Sequence, residues 1–269
     1  MTEEGNPTAG GFDPRADVRG WNRHAWDRQV AKGNEWTRPV DAERVAAARR
    51  GEISVLLTPE TPVPSDWLEG LAGKDVLALA CGGGQQVPLF AAAGARVTVL
   101  DNSPSQLARD REVAEREGLE IRTVEGDMRR LDAFEDESFD LVFNPCSVVY
   151  VPSVLPVWRE AYRVLRDGGR FLTGWTNPAR MIFDEKELEA GRLAVRHAIP
   201  YSDVESLRSE EVDDLVARDE PLMFGHSLDD LIGGQLAAGF VIDGFFEDRG
   251  GDALDAHLMT YAATRAFKR

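Results

Sequence analysis

From residue 74 onward, short apolar runs alternate with segments whose apolar positions recur at helical spacing. Such alternation predicts parallel strands joined by helical crossovers, in a sheet that is covered on both faces. The helix that starts at Pro104 is the clearest, because Ser103 is a favoured N-cap and Gly118 a favoured C-terminal cap. The predicted strands are 74–80, 95–101, 120–124, 139–143 and 170–175, and the predicted helices are 85–93, 104–117 and 153–166, with a helical turn near 128–132.

The end of the chain follows a different pattern. Two further apolar runs, 240–247 and 257–266, are separated by a short loop rich in Gly and Asp. Because this loop is too short for a crossover helix, we expect a hairpin whose last strand is antiparallel. The predicted fold class is therefore α/β, a Rossmann-like doubly wound sheet of seven strands with an antiparallel last strand.

One long stretch interrupts the alternation after the fifth predicted strand. Residues 177–226 are charged and irregular, and they predict an insertion with a helix at 184–195 and short strands near 196–201 and 220–226. Because the insertion follows the carboxyl end of a strand, we expect it to form a lid on the substrate side of the sheet.

The chain before the alternation has a composition of its own. Residues 1–11 are polar and rich in Gly, which is typical of a frayed tail. Residues 58–64 contain three prolines, which exclude regular structure there. We therefore predict an N-terminal tail and helical arm, acting as a lid, over residues 1–64 and a core over residues 65–269.

Composition and charge narrow the class of partner. The chain has 269 residues, of which 43% are hydrophobic and 29% charged, enough for one domain with a substantial core. Its 31 Lys and Arg against 47 Asp and Glu give a formal net charge of −16. Nucleic acids and anionic membranes bind through basic residues, so this charge argues against both. We expect a small-molecule substrate and a monomer or homodimer.

The remaining compositional signals concern metals and location. Two cysteines and four histidines have no metal-binding spacing, so no metal is predicted. We find no secretory signal and no apolar run near the ~18 residues that span a bilayer. These observations favour a cytoplasmic protein.

Three polar features follow three successive predicted strands. The first is residues 80–84, here named the glycine turn, where an apolar strand meets a helix. The second is Asp101, which ends the second strand, and the third is Gly126-Asp127-Met128 after the third strand. Ligands bind beyond the carboxyl ends of strands in such sheets, and a carboxylate there can accept hydrogen bonds from ribose hydroxyls. The three features together indicate a nucleotide-like ligand.

The chain resembles the class I S-adenosylmethionine-dependent methyltransferases in five segments, VLALACGGG, VTVLDNSPSQL, VEGDMRRL, FDLVFNPCSVVYV and VLRDGGRFL. The resemblance covers about residues 65–265 and implies methyl transfer, with S-adenosylmethionine as cofactor and S-adenosylhomocysteine as product. It implies that the following residues face the cofactor: Ala80, Cys81, Gly82, Gly84, Gln85, Gln86, Asp101, Asn102, Ser103, Leu107, Asp127, Met128, Asn144 and Ser147.

Within this resemblance, Asp101 would bind the ribose, and Asp127 and Met128 would bracket the adenine. Two positions depart from the family's pattern. Ala78 stands where the family usually has Asp or Glu, a carboxylate that helps to order the turn and the cofactor's amino group. Ala80 stands where the family often has Gly.

Three other interpretations stay open at this point. An NAD(P)-dependent dehydrogenase would carry G-x-G-x-x-G, whereas the third glycine position is Val87 here. A non-catalytic protein that only binds S-adenosylmethionine would account for Ala78. An RNA or protein methyltransferase would call for a basic groove or an added binding module.

Candidate catalytic groups are few. Tyr150, His226 and His24 could face the acceptor or accept its proton, and no spacing singles one of them out. The accepting atom, O, N, S or C, also stays open. Three tryptophans of the arm either anchor it on the core through their large apolar area or line the substrate pocket with Tyr150. They are Trp21, Trp26 and Trp36.

Overall fold

The computed structural model describes residues 13–269, so the predicted tail at 1–11 lies outside the described residues. The strands are β1 (Asp75–Leu79), β2 (Arg96–Asp101), β3 (Ile121–Glu125), β4 (Phe139–Asn144), β5 (Leu165–Thr176), β6 (Tyr201–Ser202), β7 (Phe224–Gly225), β8 (Val241–Asp248) and β9 (Tyr261–Phe267). The α-helices are α1 (Val18–Lys32), α2 (Ala42–Arg49), α3 (Val87–Ala92), α4 (Pro104–Glu117), α5 (Leu155–Val164), α6 (Glu185–Glu189), α7 (Asp203–Ser206), α8 (Ser209–Ala217) and α9 (Gly234–Ala238). Within residues 13–269, no helix combines the length and the apolar character needed to cross a membrane.

Seven strands form one sheet in the order β3-β2-β1-β4-β5-β9-β8. β1 to β5 pair in parallel, whereas β9 runs antiparallel to both β5 and β8. Helices α3, α4 and α5 connect successive parallel strands, as crossovers require. The structure therefore confirms the predicted α/β doubly wound sheet with an antiparallel last strand.

The apolar core lies on both faces of the sheet. In β1, Val76 and Ala78 belong to one buried cluster, and Leu77 and Leu79 belong to the other, as the two-residue period of a strand requires. The first cluster also contains Leu57, so the chain just before the predicted boundary at residue 65 packs into the main core. The division into arm and core stays a prediction.

Strand β5 begins earlier than the sequence predicts. The predicted helix 153–166 ends at Val164, and β5 starts at Leu165 and runs through Gly168. The Gly168 N–H donates to the carbonyl oxygen of Lys268 (2.8 Å), and β4 pairs with the strand from Leu165. Pairing with neighbouring strands thus overrides the local pattern that predicted a helix up to residue 166.

The insertion at 177–226 contains more helix than predicted, in a different place. The helix predicted at 184–195 spans only Glu185–Glu189, and the predicted strands shrink to the two-residue pair β6 and β7. Helix α8 was missed because acidic residues dominate it. Its apolar residues nevertheless recur at helical spacing, and Val212 is fully buried among them.

Helix α1 bridges the insertion and the start of α4. Asp27 accepts hydrogen bonds from Ser103 Oγ (2.6 Å) and from the Ser105 N–H (3.1 Å). Arg19 Nε donates to Asn102 Oδ1 (3.0 Å). These contacts place α1 beside the carboxyl end of β2.

Candidate functional site

A cavity of about 340 Å³ opens at the carboxyl ends of β1, β2 and β4. Its lining comes from the glycine turn, the loop after β4, the chain before β1 and the insertion. This volume is in the range of small-molecule pockets. The arm contributes Val18, Arg19, Asn22, Trp26 and Trp36, and the insertion contributes Arg180, Met181, Glu185 and Met223.

Two carboxylates from other elements order the glycine turn. The Gly82 N–H donates to Asp101 Oδ2 (2.9 Å), and the Gly84 N–H donates to Asp110 Oδ1 (3.1 Å). Ala78 is fully buried in the core, behind the turn. The turn is therefore held without the carboxylate that the resemblance led us to expect at residue 78.

The arm and α4 approach the backbone of the turn closely. Gly83 has a φ of +111°, and a Cβ there would lie 2.9 Å from the Trp36 carbonyl oxygen. Gly84 has a φ of +71°, and a Cβ there would lie 2.8 Å from the Arg109 carbonyl oxygen. Only glycine fits both the backbone conformation and the space at these positions.

Ala80 adopts the left-handed conformation, with a φ of 45°, which disfavours a non-glycine residue by roughly 1–2 kcal/mol. We expect Ala80→Gly to leave the free energy of unfolding unchanged or to raise it by up to ~1 kcal/mol, because relief of strain offsets glycine's larger unfolded-state entropy. The matched variant Ala78→Gly, in regular strand and fully buried, should lower it by about 1 kcal/mol. Urea denaturation of both variants measures their free energies of unfolding. An equal loss of stability in the two would contradict backbone strain at Ala80.

Asp101 is the carboxylate best placed to bind a ligand. It lines the cavity, is only 8% exposed, and also accepts a hydrogen bond from the Ser103 N–H (2.9 Å). Burial raises the pKa of Asp101 to about 6, although the N–H groups of Ser103 and Gly82 oppose the rise. At neutral pH the carboxylate is ionised and keeps lone pairs for further donors, such as a pair of hydroxyls.

Gln106 is a cavity-lining residue that the sequence analysis missed. Its side-chain oxygen is buried and has no hydrogen-bond partner among residues 13–269. Gln106 packs closely on the glycine turn: a Cβ placed on Gly82 would lie 2.6 Å from the Cβ of Gln106. A buried acceptor without a donor is unfavourable, so the site suits a ligand that brings a hydroxyl or an ammonium group. The sequence feature that could have indicated Gln106 is its place in the first turn of α4, three residues after the Ser103 cap.

Asp110 lies behind the glycine turn and is fully buried, and its Oδ2 has no hydrogen-bond partner within the described part of the chain. Burial raises the pKa of Asp110 well above its ordinary value, and the charge of Asp101 adds to the rise. The folded-state pKa is therefore higher than the unfolded-state pKa. The contribution of Asp110 to stability is complete below about pH 4 and is lost as the pH rises through the folded-state pKa.

We expect Asp110→Asn to be more stable than the parent protein at pH 8, by about 1 kcal/mol or more, and the difference to shrink at pH 5. The reason is that an asparagine oxygen still accepts from the Gly84 N–H, while the amide does not ionise. Urea denaturation at the two pH values measures the difference. Asp110→Ala is the control, since it removes the acceptor and should destabilise at both values. A pH-independent loss in Asp110→Asn would contradict the assignment.

Asp127 lines the cavity just after β3, where it is paired with Arg129. Arg129 Nη2 lies 2.7 Å from Asp127 Oδ2, and the Arg129 N–H donates to Oδ1 (2.9 Å). Burial raises the pKa of Asp127, but the hydrogen bonds from Arg129 outweigh burial and lower it. The carboxylate is therefore an ionised acceptor at neutral pH. No helical turn forms at 128–132, which was predicted to be helical.

Ten of the predicted cofactor residues line the cavity, and four lie behind its wall. Asn144 is one of the four: it is fully buried, and its Nδ2 donates to Ser147 Oγ (2.8 Å) and to the Leu79 carbonyl oxygen (3.0 Å). Asn144 thus holds Ser147 at the cavity. The ten are Ala80, Cys81, Gly82, Gln85, Gln86, Asp101, Asn102, Asp127, Met128 and Ser147, and the four are Gly84, Ser103, Leu107 and Asn144.

Neither histidine candidate lines the cavity. His226 is buried, and its Nε2 lies 2.9 Å from the Val148 carbonyl oxygen; burial lowers its pKa. His24 faces Asp219, at 3.6 Å. Of the three catalytic candidates, Tyr150 alone lines the cavity. Among residues 13–269, no group of three or more His, Cys, Asp or Glu could hold a metal ion.

The three tryptophans divide between the two roles that the sequence left open. Trp26 and Trp36 line the cavity, and the Trp26 ring meets the Tyr150 ring edge-on at a centroid distance of 5.3 Å. Trp21 is fully buried against Leu222 and other apolar residues of the insertion, away from the cavity lining. Trp21 therefore anchors the arm on the insertion.

Comparison with known proteins identifies the family. A profile described as a methyltransferase domain matches residues 77–173. The uncharacterized methyltransferase YbaJ of Bacillus subtilis (strain 168) is 50% identical over 247 residues, which covers 92% of this chain and 97% of that protein. A sterol 24-C-methyltransferase of Pneumocystis carinii (strain B80) is 31% identical over 102 residues, 37% of this chain and 27% of that protein.

Among solved structures, an S-adenosylmethionine-dependent methyltransferase from Mesorhizobium loti superposes with a TM-score of 0.59 at 20% identity, over 76% of this chain and 94% of that chain. At this identity the likeness concerns the fold, and it agrees with the strand order found here. With the 50% identity to a methyltransferase along nearly the whole chain, these findings show that the chain belongs to the class I S-adenosylmethionine-dependent methyltransferases.

Proposed function

We propose that this enzyme transfers the methyl group of S-adenosylmethionine to a small-molecule acceptor inside the cavity. The observation that carries the proposal is the cavity itself, which continues from the glycine turn to a space enclosed by α1 and the insertion. Walls of this kind admit a small molecule and keep water away from the reacting groups. The net charge of −16 supports a small molecule over RNA.

The side chains in the cavity suit the cofactor. Asp101 would accept hydrogen bonds from the ribose hydroxyls, and the unpartnered oxygen of Gln106 offers a further acceptor beside the turn. Asp127 and Met128 would lie at the adenine, and the glycine turn at the methionine part. When bound, S-adenosylmethionine supplies a methyl group that is already activated by its positive sulfur.

The protein's own contribution is positional. Ser147 and Tyr150 line the cavity after β4, and Asn144 fixes Ser147 from behind. Holding an acceptor in line with the methyl group and excluding water accounts for much of the rate that such a site can provide. A cytoplasmic location and a monomeric or homodimeric state stay predictions.

Calorimetry followed by an activity assay tests the proposal. We expect S-adenosylmethionine to bind, and S-adenosylhomocysteine to accumulate when the enzyme is mixed with a protein-free extract of small metabolites. Binding without turnover in any fraction would favour a non-catalytic S-adenosylmethionine-binding protein. Turnover only with an RNA or protein fraction would overturn the small-molecule assignment, and failure to bind millimolar cofactor would overturn the cofactor site.

A further inference from the structure

Two tyrosines of the cavity have hydroxyl groups that make no hydrogen bond to residues 13–269. Tyr150 follows β4 in a 3₁₀ turn, and Tyr261 begins β9; both line the cavity. Within the described residues, no hydrogen bond engages either hydroxyl, whereas the Tyr201 hydroxyl donates to Asp203 Oδ1 (2.6 Å). Largely buried phenols normally find a partner, so these two are available to a ligand.

The charged groups beside these phenols are already paired with one another. Arg180 Nε donates to Asp252 Oδ2 (2.8 Å), and Arg180 Nη2 donates to Glu185 Oε1 (2.9 Å). Of the carboxylates among the described lining residues, Asp101 and Asp127 lie at the predicted cofactor end, and Glu185 is the one held by Arg180. Among the lining residues that the structure describes, this end of the cavity therefore has hydrogen-bond donors but no unpaired base.

The other ionisable groups here stay protonated at neutral pH. Burial raises the pKa of Tyr261 to about 12, although the charge of Arg180 opposes the rise. Burial also raises the pKa of Tyr150 and that of the Cys146 thiol, which lines the same region. These groups can donate hydrogen bonds, but they are poorly suited to remove a proton from an acceptor.

We propose that Tyr150 and Tyr261 bind an ionised oxygen of the acceptor, and that the acceptor is an organic oxygen acid: a carboxylic acid or an acidic enol or phenol. This inference rests on the proposed function. Because no free base lines this end of the cavity among the described residues, an acceptor hydroxyl or carboxyl oxygen must bind already ionised. Two phenolic hydroxyls can each donate a hydrogen bond to such an oxygen, and these bonds are strong in a site that excludes water.

Methyl transfer to an ionised acceptor needs no protein base. A lone pair of the acceptor, on its ionised oxygen or on a carbon conjugated to it, forms the bond to the methyl carbon. The carbon–sulfur bond breaks, and its electron pair remains on the sulfur. The negative charge of the acceptor and the positive charge of the sulfonium are both lost, which leaves a methylated acceptor and a neutral thioether. No proton moves in this step. Apolar neighbours in the lining, Met181, Met223 and Val149, suit an acceptor with an apolar body.

A pair of matched probes tests the inference without knowledge of the natural acceptor. Benzoate and benzylamine share a ring but carry opposite charges, and each can be titrated by calorimetry into enzyme saturated with S-adenosylhomocysteine. We expect benzoate to bind about tenfold more tightly than benzylamine, and Tyr150→Phe and Tyr261→Phe each to weaken benzoate about tenfold. Tyr162→Phe is the control, because Tyr162 packs on Phe240 outside the cavity lining.

The result separates this inference from the proposed function, because the product's own affinity is measured first. If S-adenosylhomocysteine binds but benzoate does not, or binds no better than benzylamine, the oxygen-acid assignment is overturned while the cofactor site stands. Unchanged benzoate affinity in both tyrosine variants would also overturn it. A selective loss in these variants, with product affinity preserved, supports it.

Discussion

Replacing Asp101 with alanine is expected to weaken S-adenosylmethionine binding about a hundredfold. The carboxylate lines the cavity at the end of β2, and the proposed hydrogen bonds from the ribose hydroxyls would be charge-assisted, worth roughly 1.5 kcal/mol each. Two such bonds amount to ~3 kcal/mol, the equivalent of about two orders of magnitude in Kd. Calorimetric titration at pH 7.5 measures the change.

Two controls separate lost binding from lost folding. Asp132→Ala removes a carboxylate whose side chain is 72% exposed, and it should leave the cofactor affinity unchanged within about twofold. Thermal unfolding of the Asp101→Ala protein is the second control. Burial raises the pKa of Asp101 to about 6, so its charge disfavours the folded state at pH 7.5. Alanine also leaves the Gly82 and Ser103 N–H groups without their acceptor, so the stability of the variant is measured beside its affinity. Affinity of the parent protein should fall below pH 6, as the carboxylate gains its proton. An Asp101→Ala protein that is folded and binds normally would refute the ribose assignment.

Gly174→Ala is expected to lower the free energy of unfolding by about 3 kcal/mol or more. Gly174 lies inside β5, and a Cβ there would overlap the carbonyl oxygen of Leu57 and lie 2.7 Å from its carbonyl carbon. The obstructing atoms are backbone, and the same oxygen accepts a hydrogen bond from the Cys146 N–H (3.0 Å). The segment that carries Leu57 also forms part of the cavity wall, so it cannot shift without disturbing the site.

Urea denaturation measures this loss against a matched glycine. Gly191→Ala introduces a Cβ with no atom within 4 Å, at a φ of +74°, so backbone strain of about 1 kcal/mol is its main expected effect. If the Gly174→Ala protein is as stable as the Gly191→Ala protein, the segment that carries Leu57 is not packed on β5 as described.

The sheet and the lining of the cavity beside the glycine turn could be predicted because their signals are local. Strand and helix periods, a cap at Ser103 and the glycine turn each occupy a few consecutive residues, and the parallel topology then brings the strand ends together. Asp101 and Asp127 follow from that rule, since each directly ends or follows a strand. Ten of the predicted cofactor residues therefore line the cavity.

Much of the proposed acceptor end could not be predicted, because it depends on contacts between distant segments. Arg180 is held by Asp252, 72 residues further along the chain, and no local pattern records that pairing. Tyr261 begins a strand that returns to the sheet only in the final hairpin. Periodicity also does not show which aromatic residues of the arm face a ligand, so Trp21, an anchor, could not be told from Trp26, which lines the cavity.

S-adenosylmethionine is proposed to bind between the glycine turn and helix α1. Amide hydrogen exchange, measured by mass spectrometry with and without saturating S-adenosylhomocysteine, tests this placement. We expect slower exchange over residues 80–86, 101–106, 126–129 and 145–150, and over α1. Unchanged exchange in these segments, or protection confined to other parts of the sheet, would contradict it.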